Sequence, residues 1–343
     1  MGVNIRELVD DCREEISYEM LSGKTIALDA FNILYQFLAA IRQPDGTPLM
    51  DSKGNITSHL SGIFYRSISL MEYNIKLVYV FDGEKPSFKE EEIKKRLQAK
   101  EEAEEKWRRS IEEGNLEEAK KYAQGASYLT PQMVEEAKRL IKAMGMCYVD
   151  APSEGEAQAA YLAKINKVYA AGSQDYDSLL FGSPILIRNL GVTGKRKIPG
   201  TNQYKEINLE RIFLEKILEE YKLTQDQLIC LGILVGTDYA ENGVEGIGVK
   251  KALEIVRIYK TPDKIFSAIK DKWEHDVDFM KIYEFFKEPP VRDVEISFDR
   301  LNEEEIYKIL VDEHDFSQER VSNAIERLKK AKSKTSQRTL FSF

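Results

Sequence analysis

The sequence predicts an α/β fold built on a central, mostly parallel and twisted sheet with helices on both faces. Two observations support this class. Short apolar runs alternate with stretches of helical spacing through the first half of the chain. Each run is almost continuously apolar, as expected for parallel strands that are covered on both sides.

The elements follow in order along the chain. Strands are predicted at residues 24–30, 75–83, 146–150 and 168–172. Helices are predicted between and around them at residues 31–41, 56–74, 131–144 and 153–165. The later runs ILIRNL and NQYKEINL indicate a small hairpin, and the chain is expected to be almost wholly helical from residue 208.

Residues 84–124 interrupt this alternation. More than half of them are charged, and their apolar positions are too sparse for a core-facing stripe. A solvated helical pair or partial disorder would explain the composition. We favour two mobile helices that stand off the globule and are joined near Gly114 and Asn115.

The composition is that of a soluble protein. Of 343 residues, 43% are apolar and 31% are charged, and no apolar run approaches the ~18 residues needed to cross a bilayer. Cys12, Cys147 and Cys230 lie far apart without metal-binding spacing, which fits a reducing cytoplasm and buried core positions. We therefore expect a cytoplasmic protein without a targeting signal.

The net charge of −8 does not by itself exclude a nucleic-acid partner. The stretch RLKKAKSKTSQR near the end of the chain is basic. Acids gathered into a metal site would count toward the total without repelling DNA once cations are bound. The distribution of charge therefore matters more than its sum.

Acidic side chains follow three of the predicted strands at the point where each strand ends. Asp29 follows TIAL, Asp82 follows LVYVF, and Asp175 and Asp177 follow VYAA. Alone, such an Asp-x-Asp pair is typical of a turn or a helix N-cap. An EF-hand loop is excluded, because leucines stand where that loop needs Gly and Glu. The carboxyl ends of parallel strands meet at one crevice, so we expect these side chains to lie together.

Three further acids are expected at the same crevice. Glu154 and Glu156 open the helix after the strand MCYV, where the helix dipole alone would also favour acids. Asp238 follows the apolar helix in LGILVGTDYA. The resulting cluster would repel itself without cations. Its seven members are Asp29, Asp82, Glu154, Glu156, Asp175, Asp177 and Asp238.

Hard divalent cations with oxygen ligands would relieve this repulsion, and Mg²⁺ is the expected ion. The chain has no Cys/His set for zinc, and His59, His275 and His314 are scattered outside any motif, which argues against His-based acid–base chemistry. Two ions held about 3.5–4 Å apart by acids suit in-line hydrolysis of a phosphodiester. The sequence therefore predicts a two-metal site, with Mn²⁺ able to replace Mg²⁺.

A second motif indicates where DNA phosphates would bind. The stretch NGVEGIGVKKALEIV has the Gly-Ile-Gly turn of a helix–hairpin–helix element, which spans residues 225–259. Gly246 and Gly248 would let backbone N–H groups approach a phosphate, with Lys250 and Lys251 at the start of the next helix. This arrangement predicts binding to the DNA backbone without sequence specificity.

Six stretches occur in order along the chain: ALDAFNILYQFL, VYVFDGEKP, APSEGEAQAAYLA, GSQDYDSLLFG, GTDYAENGVEGIG and QRTLFSF. Together they resemble the flap endonucleases of the Rad2/XPG structure-specific nuclease family, of archaeal type. The resemblance covers essentially the whole chain. It implies a PIN/resolvase-like sheet, a two-metal cluster formed by the seven acids, and a helical arch at residues 84–124 through which a 5′ single strand threads.

The resemblance also implies roles for single residues. Lys89 and Arg96 match the family's catalytic basic pair, and their spacing places them on one helix face, where they would clamp the scissile phosphate. By composition alone they are two solvated cations among many. Tyr35 matches the aromatic that stacks on the base beside the cut, although its helical position alone suggests a core residue. Gly2 matches the processed amino terminus near the DNA junction.

Residues 329–343 are expected to form a flexible tail that ends in a sliding-clamp box. The ending QRTLFSF resembles that box, with Gln337, Leu340, Phe341 and Phe343 as the clamp-binding residues. It departs from the fullest pattern because no second aromatic adjoins Phe343. Without the resemblance, these apolar residues would form only a sticky tail. The implied partner is the sliding clamp (PCNA).

The function implied by the resemblance is a structure-specific 5′ flap endonuclease with 5′–3′ exonuclease activity. It would act on branched DNA in replication, including Okazaki fragment maturation, and in repair, as a nucleoid-associated monomer with no membrane partner. Two alternatives are a family member that acts on bubbles or four-way junctions and a non-enzymatic scaffold for DNA junctions. The seven acids disfavour the scaffold, and the arch length and clamp box disfavour the other nuclease.

The chain is expected to comprise overlapping regions in sequence. These are an N-terminal nuclease region (1–99), the helical arch (84–124), an internal nuclease region with the helix–hairpin–helix element (117–261), a C-terminal helical region (262–328) and the tail (329–343).

Overall fold

The computed structural model describes residues 2–43, 46–115, 118, 122, 125, 128–191, 195–197 and 204–340. For 87, 90–96, 111, 195–197, 204–206 and 334–340 the description is limited to the backbone. No helix in these ranges is long and apolar enough to cross a membrane.

Seven strands of the described chain form the central sheet. They are β1 (Arg13–Ile16), β2 (Thr25–Asp29), β3 (Lys76–Phe81), β4 (Cys147–Asp150), β5 (Ala170–Gly172), β6 (Ile185–Arg188) and β9 (Leu209–Phe213). Their order across the sheet is β1-β9-β6-β5-β2-β3-β4. Strands β6, β5, β2, β3 and β4 run parallel, whereas β9 is antiparallel to both β6 and β1. The predicted mostly parallel sheet is confirmed.

The hairpin predicted from ILIRNL and NQYKEINL is wrong in part. Strand β6 joins the main sheet beside β5, and the small hairpin forms instead between β7 (Lys195–Lys197) and β8 (Tyr204–Glu206). Strand β9 also lies where the chain was expected to be helical. Leu186 and Ile187 of β6 are fully buried, so this strand pairs with neighbours on both edges and packs under other elements on both faces. The turn signals in the sequence do not reveal those neighbours.

Helices surround the sheet and extend beyond it. Within the described ranges the α-helices are α1 (Arg6–Val9), α2 (Ala30–Ala40), α3 (Ser58–Glu72), α4 (Glu90–Glu112), α5 (Pro131–Ala143), α6 (Gly155–Lys164), α7 (Asp177–Leu180), α8 (Leu214–Tyr221), α9 (Gln225–Val235), α10 (Val249–Tyr259), α11 (Pro262–Ile269), α12 (Phe279–Lys287), α13 (Glu303–Tyr307) and α14 (Gln318–Leu340). Short 3₁₀ turns cover Tyr18–Leu21, Ser87–Lys89 and Lys270–Lys272, and a π-helical turn covers Lys308–Glu313.

The sheet is buried on both faces, as the alternation of its side chains shows. Ile26 and Leu28 of β2 pack in one apolar cluster, whereas Ala27 between them packs in a second cluster on the opposite face. Helices α2, α3, α5, α13 and α14 contribute to the first cluster, and α6 contributes to the second. The three cysteines are buried, as predicted, and none of them forms a disulfide.

The C-terminal helical region, predicted at 262–328, divides between two cores. Helices α11 and α12 pack with α7 to α10 in a third apolar cluster. Residues 288–302 then form neither helix nor strand, and α13 and α14 return to the first face of the sheet.

Part of the tail predicted at 329–343 is helical rather than flexible. Helix α14 runs to Leu340, and its described contacts with the globule extend to Lys332. Ala331 is buried, Lys329 pairs with Glu303, and the Lys332 Nζ atom donates to the carbonyl of Gly145. The basic run that the sequence suggested to be a linker is therefore helical, and the burial of Ala331 and the polar contacts of Lys329 and Lys332 stabilise its first turn.

The arch segment begins with the 3₁₀ turn Ser87–Lys89 and continues directly as α4. The helix ends at Glu112, and Gly114 follows with a φ of +70°, so the predicted break near Gly114 and Asn115 is confirmed. The second predicted arch helix lies largely outside the described residues.

Candidate active site

Parallel strands deliver acids to one edge of the sheet. Asp29 is the last residue of β2, Asp82 directly follows β3, and Asp175 and Asp177 follow β5. Strand β2 lies between β3 and β5, so these side chains are neighbours across the sheet. Asp29 and Asp177 are less than one-tenth exposed.

Backbone N–H groups hold these carboxylates in place. The Gly155 N–H donates to Asp82 Oδ1 at 2.8 Å, and the Val3 N–H donates to Asp177 Oδ1 at 2.6 Å. Asp29 is the N-cap of α2 and accepts from the N–H of Asn32 at 3.1 Å. These bonds orient each acid without neutralising its charge.

The three remaining acids join the same cluster. Glu154 is the N-cap residue of α6 and Glu156 lies in its first turn, where Ser178 Oγ donates to it at 3.3 Å. Asp238 follows α9 and acts electrostatically on Asp177. The structure therefore brings all seven predicted acids together. Their role as metal ligands stays a prediction.

Burial and mutual repulsion disfavour the charged forms of these acids. Burial, reinforced by Glu154, raises the pKa of Asp82 to about 6, and burial together with Asp238 raises the pKa of Asp177 to about 7. Burial and Asp82 raise the pKa of Asp29 well above its usual value, and burial and Asp177 do the same for Glu156. The cluster therefore holds more negative charge than its surroundings neutralise.

This donor set fits hard divalent cations. Every member supplies carboxylate oxygen, the ligand that Mg²⁺ prefers, and the raised pKa values mark a site short of positive charge. Within the described chain, no three such side chains are gathered tightly enough to share one ion. Like charges repel one another, so a divalent cation between these carboxylates would favour their closer approach.

Lys89 brings a positive charge into the cluster from the arch. Its Nζ atom donates to both oxygens of Glu154 at 3.0 and 3.1 Å and lies 3.7 Å from Asp238 Oδ2. Although burial opposes charging, Glu154 and Asp238 raise the pKa of Lys89. The alternative of a solvated cation is thus wrong for Lys89, which is 8% exposed. The side chain of Arg96 lies outside the described residues.

Gly2 lies directly against the acids. A β-carbon at this position would come within 2.7 Å of Asp175 Cβ and 2.9 Å of Asp177 Oδ1, so only glycine fits. With Val3 bonded to Asp177, the start of the chain forms one wall of the site. The predicted proximity to a DNA junction is not tested by this placement.

Tyr35 is half-buried on α2 and is not part of the core face of that helix. Lys100 of α4 donates to its hydroxyl at 3.0 Å, and the Lys100 Nζ atom lies 4.2 Å from the ring centroid. The alternative of a core tyrosine is therefore wrong. Sequence reasoning missed Lys100, because nothing in its local pattern distinguishes it from the other arch cations.

The Gly-rich turn has the predicted geometry. Helices α9 and α10 flank it, Gly246 has a φ of +71°, and Gly248 is the N-cap of α10. Both glycines are exposed, with open space where a β-carbon would lie, and Lys250 and Lys251 are exposed beside them. Backbone N–H groups at this turn are therefore accessible to a phosphate.

The structure describes only part of the predicted clamp box. The backbone of Gln337 and Leu340 belongs to α14, but their side chains lie outside the described residues. Phe341 and Phe343 also lie outside the described residues.

Two histidines that seemed scattered in sequence meet in the fold. His59 of α3 and His314 are buried together with Glu136 of α5 and Asp51. His314 contacts Asp51 at 3.1 Å and Glu136 at 3.6 Å, and His59 lies 3.4 Å from Glu136. The charged partners of these two histidines are Asp51 and Glu136 rather than the seven acids.

Comparison with known proteins places this arrangement in a class. Residues 1–103 match the model of the XPG N-terminal domain, and residues 145–238 match that of the XPG I-region. The catalytic core of Rad2 in complex with DNA substrate shares the fold, with a TM-score of 0.69 and 22% identity over 96% of this chain and 100% of that one. The fold and site therefore define a nuclease of the Rad2/XPG type.

More similar proteins narrow the class. The chain is 58% identical to flap endonuclease 1 of Pyrococcus furiosus over all of its length and 99% of that protein. It is 42% identical to the solved flap endonuclease-1 from Methanococcus jannaschii, with a TM-score of 0.75 over 98% of this chain and 100% of that one. The chain belongs to the archaeal flap endonucleases of the Rad2/XPG family. It is a structure-specific flap endonuclease, a hydrolase that acts on DNA.

The buried acids should destabilise the metal-free fold. Because the pKa of Asp177 is raised to about 7, its contribution to stability is present at low pH and is lost as the pH rises through 7. We expect Asp177→Asn to raise the free energy of unfolding in EDTA at pH 8 by roughly 2–4 kcal/mol, and by much less at pH 4. Urea denaturation at both pH values measures this, and asparagine retains an oxygen for the Val3 N–H.

Asp150→Asn is the matched control. Asp150 ends β4 but is half-exposed and pairs with Lys138 at 2.9 Å, so its replacement should change stability by less than about 1 kcal/mol. A loss of stability in Asp177→Asn at pH 8, or an equal gain at pH 8 and pH 4, would contradict the account.

Proposed function

We propose that this flap endonuclease removes 5′ flaps from branched DNA by Mg²⁺-dependent hydrolysis, in replication, including Okazaki fragment maturation, and in repair. A 5′–3′ exonuclease activity at the same site belongs to the proposal. The observation that carries it is the cluster of seven acids with Lys89 in its midst. We further propose that the enzyme is a cytoplasmic, nucleoid-associated monomer.

Two Mg²⁺ ions are the proposed cofactor, and Mn²⁺ is expected to replace them. The holders would be the seven acids, whose raised pKa values and carboxylate donors support a site for hard cations. When bound, the ions would supply a Lewis acid for the phosphodiester and an activated nucleophile. Val3 and Gly155 keep Asp177 and Asp82 oriented for this task.

Lys89 is proposed to stabilise the charge that develops on the scissile phosphate. Its ammonium is fixed by Glu154 and Asp238, so little reorganisation is needed as the reaction proceeds. Arg96, seven residues after Lys89 and on α4, is proposed as its partner. Both residues belong to the arch segment, and Lys89 reaches the acids from it, which supports a route for a 5′ single strand past the acids.

DNA binding is proposed to use three further surfaces. Tyr35 would stack on the base beside the cut, after Lys100 has moved off its ring. Gly246 and Gly248, with Lys250 and Lys251, would bind backbone phosphates through the open turn. Gly2 would lie near the junction. These contacts recognise strand geometry rather than sequence.

The sliding clamp (PCNA) is the proposed protein partner. Its docking segment would be Gln337, Leu340, Phe341 and Phe343, at the end of α14. The described anchors of that helix reach Lys332, and the box follows them in sequence. A tethered clamp would raise the effective concentration of the enzyme at DNA.

The metal-ligand role is tested by Asp82→Ala on a double flap with one unpaired 3′ nucleotide. We expect single-turnover cleavage in Mg²⁺ to fall at least about 10³-fold while junction affinity in EDTA changes little, because Asp82 would position the ions rather than DNA. Asp150→Ala, another acid at a strand end but paired with Lys138, should cleave normally. Wild-type turnover in Asp82→Ala would refute the proposed metal-ligand role. Faster cleavage of a four-way junction than of the double flap by the wild-type enzyme would instead favour the alternative nuclease that acts on such junctions.

The clamp-box role is tested by truncation before Gln337 and by Leu340→Ala/Phe343→Ala. We expect both variants to cleave flaps at the wild-type rate without clamp and to lose clamp binding in calorimetry, because the anchors of α14 precede the deletion. Lys334→Ala, on the same helix but outside the box, is the control. Undiminished clamp affinity in the truncated enzyme would place the interface on the globule.

A further inference from the structure

Phe88, the residue before Lys89, belongs to a compact cluster of aromatic rings. Its ring lies 5.3 Å from the ring of Tyr239 and 5.4 Å from that of Phe285, with interplanar angles of 76° and 84°. Tyr239 and Phe285 are themselves 5.2 Å apart at 71°. Three rings thus contact one another edge to face, the arrangement that their quadrupoles favour.

The three rings come from three separate segments. Phe88 lies in the 3₁₀ turn that begins the arch, Tyr239 follows Asp238, and Phe285 lies on α12. Phe181, the C-cap residue that follows α7, extends the cluster, and its ring lies 5.9 Å from that of Phe285. The rings therefore join the foot of the arch, which is the turn Ser87–Lys89, to the loop that carries Asp238 and to the end of α7.

The position of Lys89 depends on this junction. A lysine side chain is long and flexible, so its ammonium is placed accurately only when its backbone is fixed. Here the Lys89 N–H donates to Pro86 O at 2.9 Å, and the adjacent Phe88 ring is docked on Tyr239. The Lys89 Nζ atom also lies 5.4 Å from the Tyr239 ring centroid, so one ring contacts both residues.

We infer that Phe88 is a positioning residue that places the Lys89 ammonium at the acid cluster by locking the foot of the arch onto Tyr239 and Phe285. This inference rests on the catalytic role proposed for Lys89. Phe88 itself touches none of the acids in the contacts described above, so it acts through its neighbour.

A purely structural role fits the surroundings of Phe88 less well. The ring is half-buried, and with Phe285 it borders an open cavity of about 830 Å³. Truncation of a side chain with one open side leaves the rest of the cluster packed, since Tyr239 still contacts Phe285 and Phe286. Phe88→Ala should therefore fold, and its effect should appear in the chemistry.

A double-mutant cycle on the full chain tests the inference. Phe88→Ala, Lys89→Ala and the double variant are compared in single-turnover cleavage of a double flap at saturating enzyme, with junction affinity measured separately. We expect Phe88→Ala to slow cleavage about 10- to 100-fold at unchanged affinity, since small displacements of a catalytic group have effects of that size. In the Lys89→Ala background the same change should have no further effect.

Two further variants separate positioning from packing. Phe88→Tyr keeps the ring and should cleave within about twofold of wild type. Phe266→Ala removes another half-buried ring of the same core, one stacked on Phe279 at 5.5 Å rather than on Tyr239, and should leave the cleavage rate unchanged. Phe88→Leu replaces the alanine variant if circular dichroism shows that the latter is unfolded.

The outcomes are distinguishable. Multiplicative effects of Phe88→Ala and Lys89→Ala would overturn the positioning role while leaving Lys89 as a catalytic residue. A wild-type rate in Lys89→Ala would instead refute the proposed role of Lys89, and with it this inference. Equal slowing by Phe266→Ala would reduce Phe88 to a packing residue.

Discussion

One electrostatic constraint governs the site, because mutually repelling carboxylates are buried at the carboxyl edge of a parallel sheet. Apolar strands bring the acids together whatever their charge, because strand burial is driven by the hydrophobic effect. The cost of burying these charges appears as raised pKa values, to about 6 for Asp82 and about 7 for Asp177. Hydrogen bonds from Val3, Gly155 and Asn32 orient the acids, and Lys89 offsets part of their charge. The acid cluster should therefore lower the stability of the fold in the absence of metal, and its carboxylate oxygens suit hard cations.

The surrounding elements serve this constraint from several directions. Gly2 packs where no larger residue fits, so the start of the chain closes one wall. The arch reaches the site through Lys89 and touches the body again where Lys100 covers Tyr35. Between these contacts lies the segment that carries Arg96. The arch therefore contacts the body at the acid cluster and at Tyr35, whereas the acids follow the strands of the central sheet or open the helices beside it.

Much of the site could be predicted from the sequence, because strand ends are visible in the apolar pattern and the acids directly follow them. Asp29, Asp82, Asp175 and Asp177 needed only the rule that parallel strands end at one edge. The Gly-Ile-Gly turn was equally local. What failed was non-local: the pairing of β9 with β1, the helix through Ala331, and the meeting of His59 with His314 depend on partners more than a hundred residues away. Lys100 gave no signal, since an arch rich in cations hides which one contacts the body.

The central claim is that the acid cluster is held partly protonated until a divalent cation binds. Calorimetric titration of the DNA-free enzyme with Mg²⁺, at pH 6.5 in two buffers of different ionisation enthalpy, tests it most directly, because the buffers reveal protons released on binding. Since the pKa values of Asp82 and Asp177 are near 6 and 7, we expect proton release at pH 6.5 and a higher Mg²⁺ affinity at pH 8. Binding without proton release, at an affinity that does not change between pH 6.5 and 8, would contradict the account.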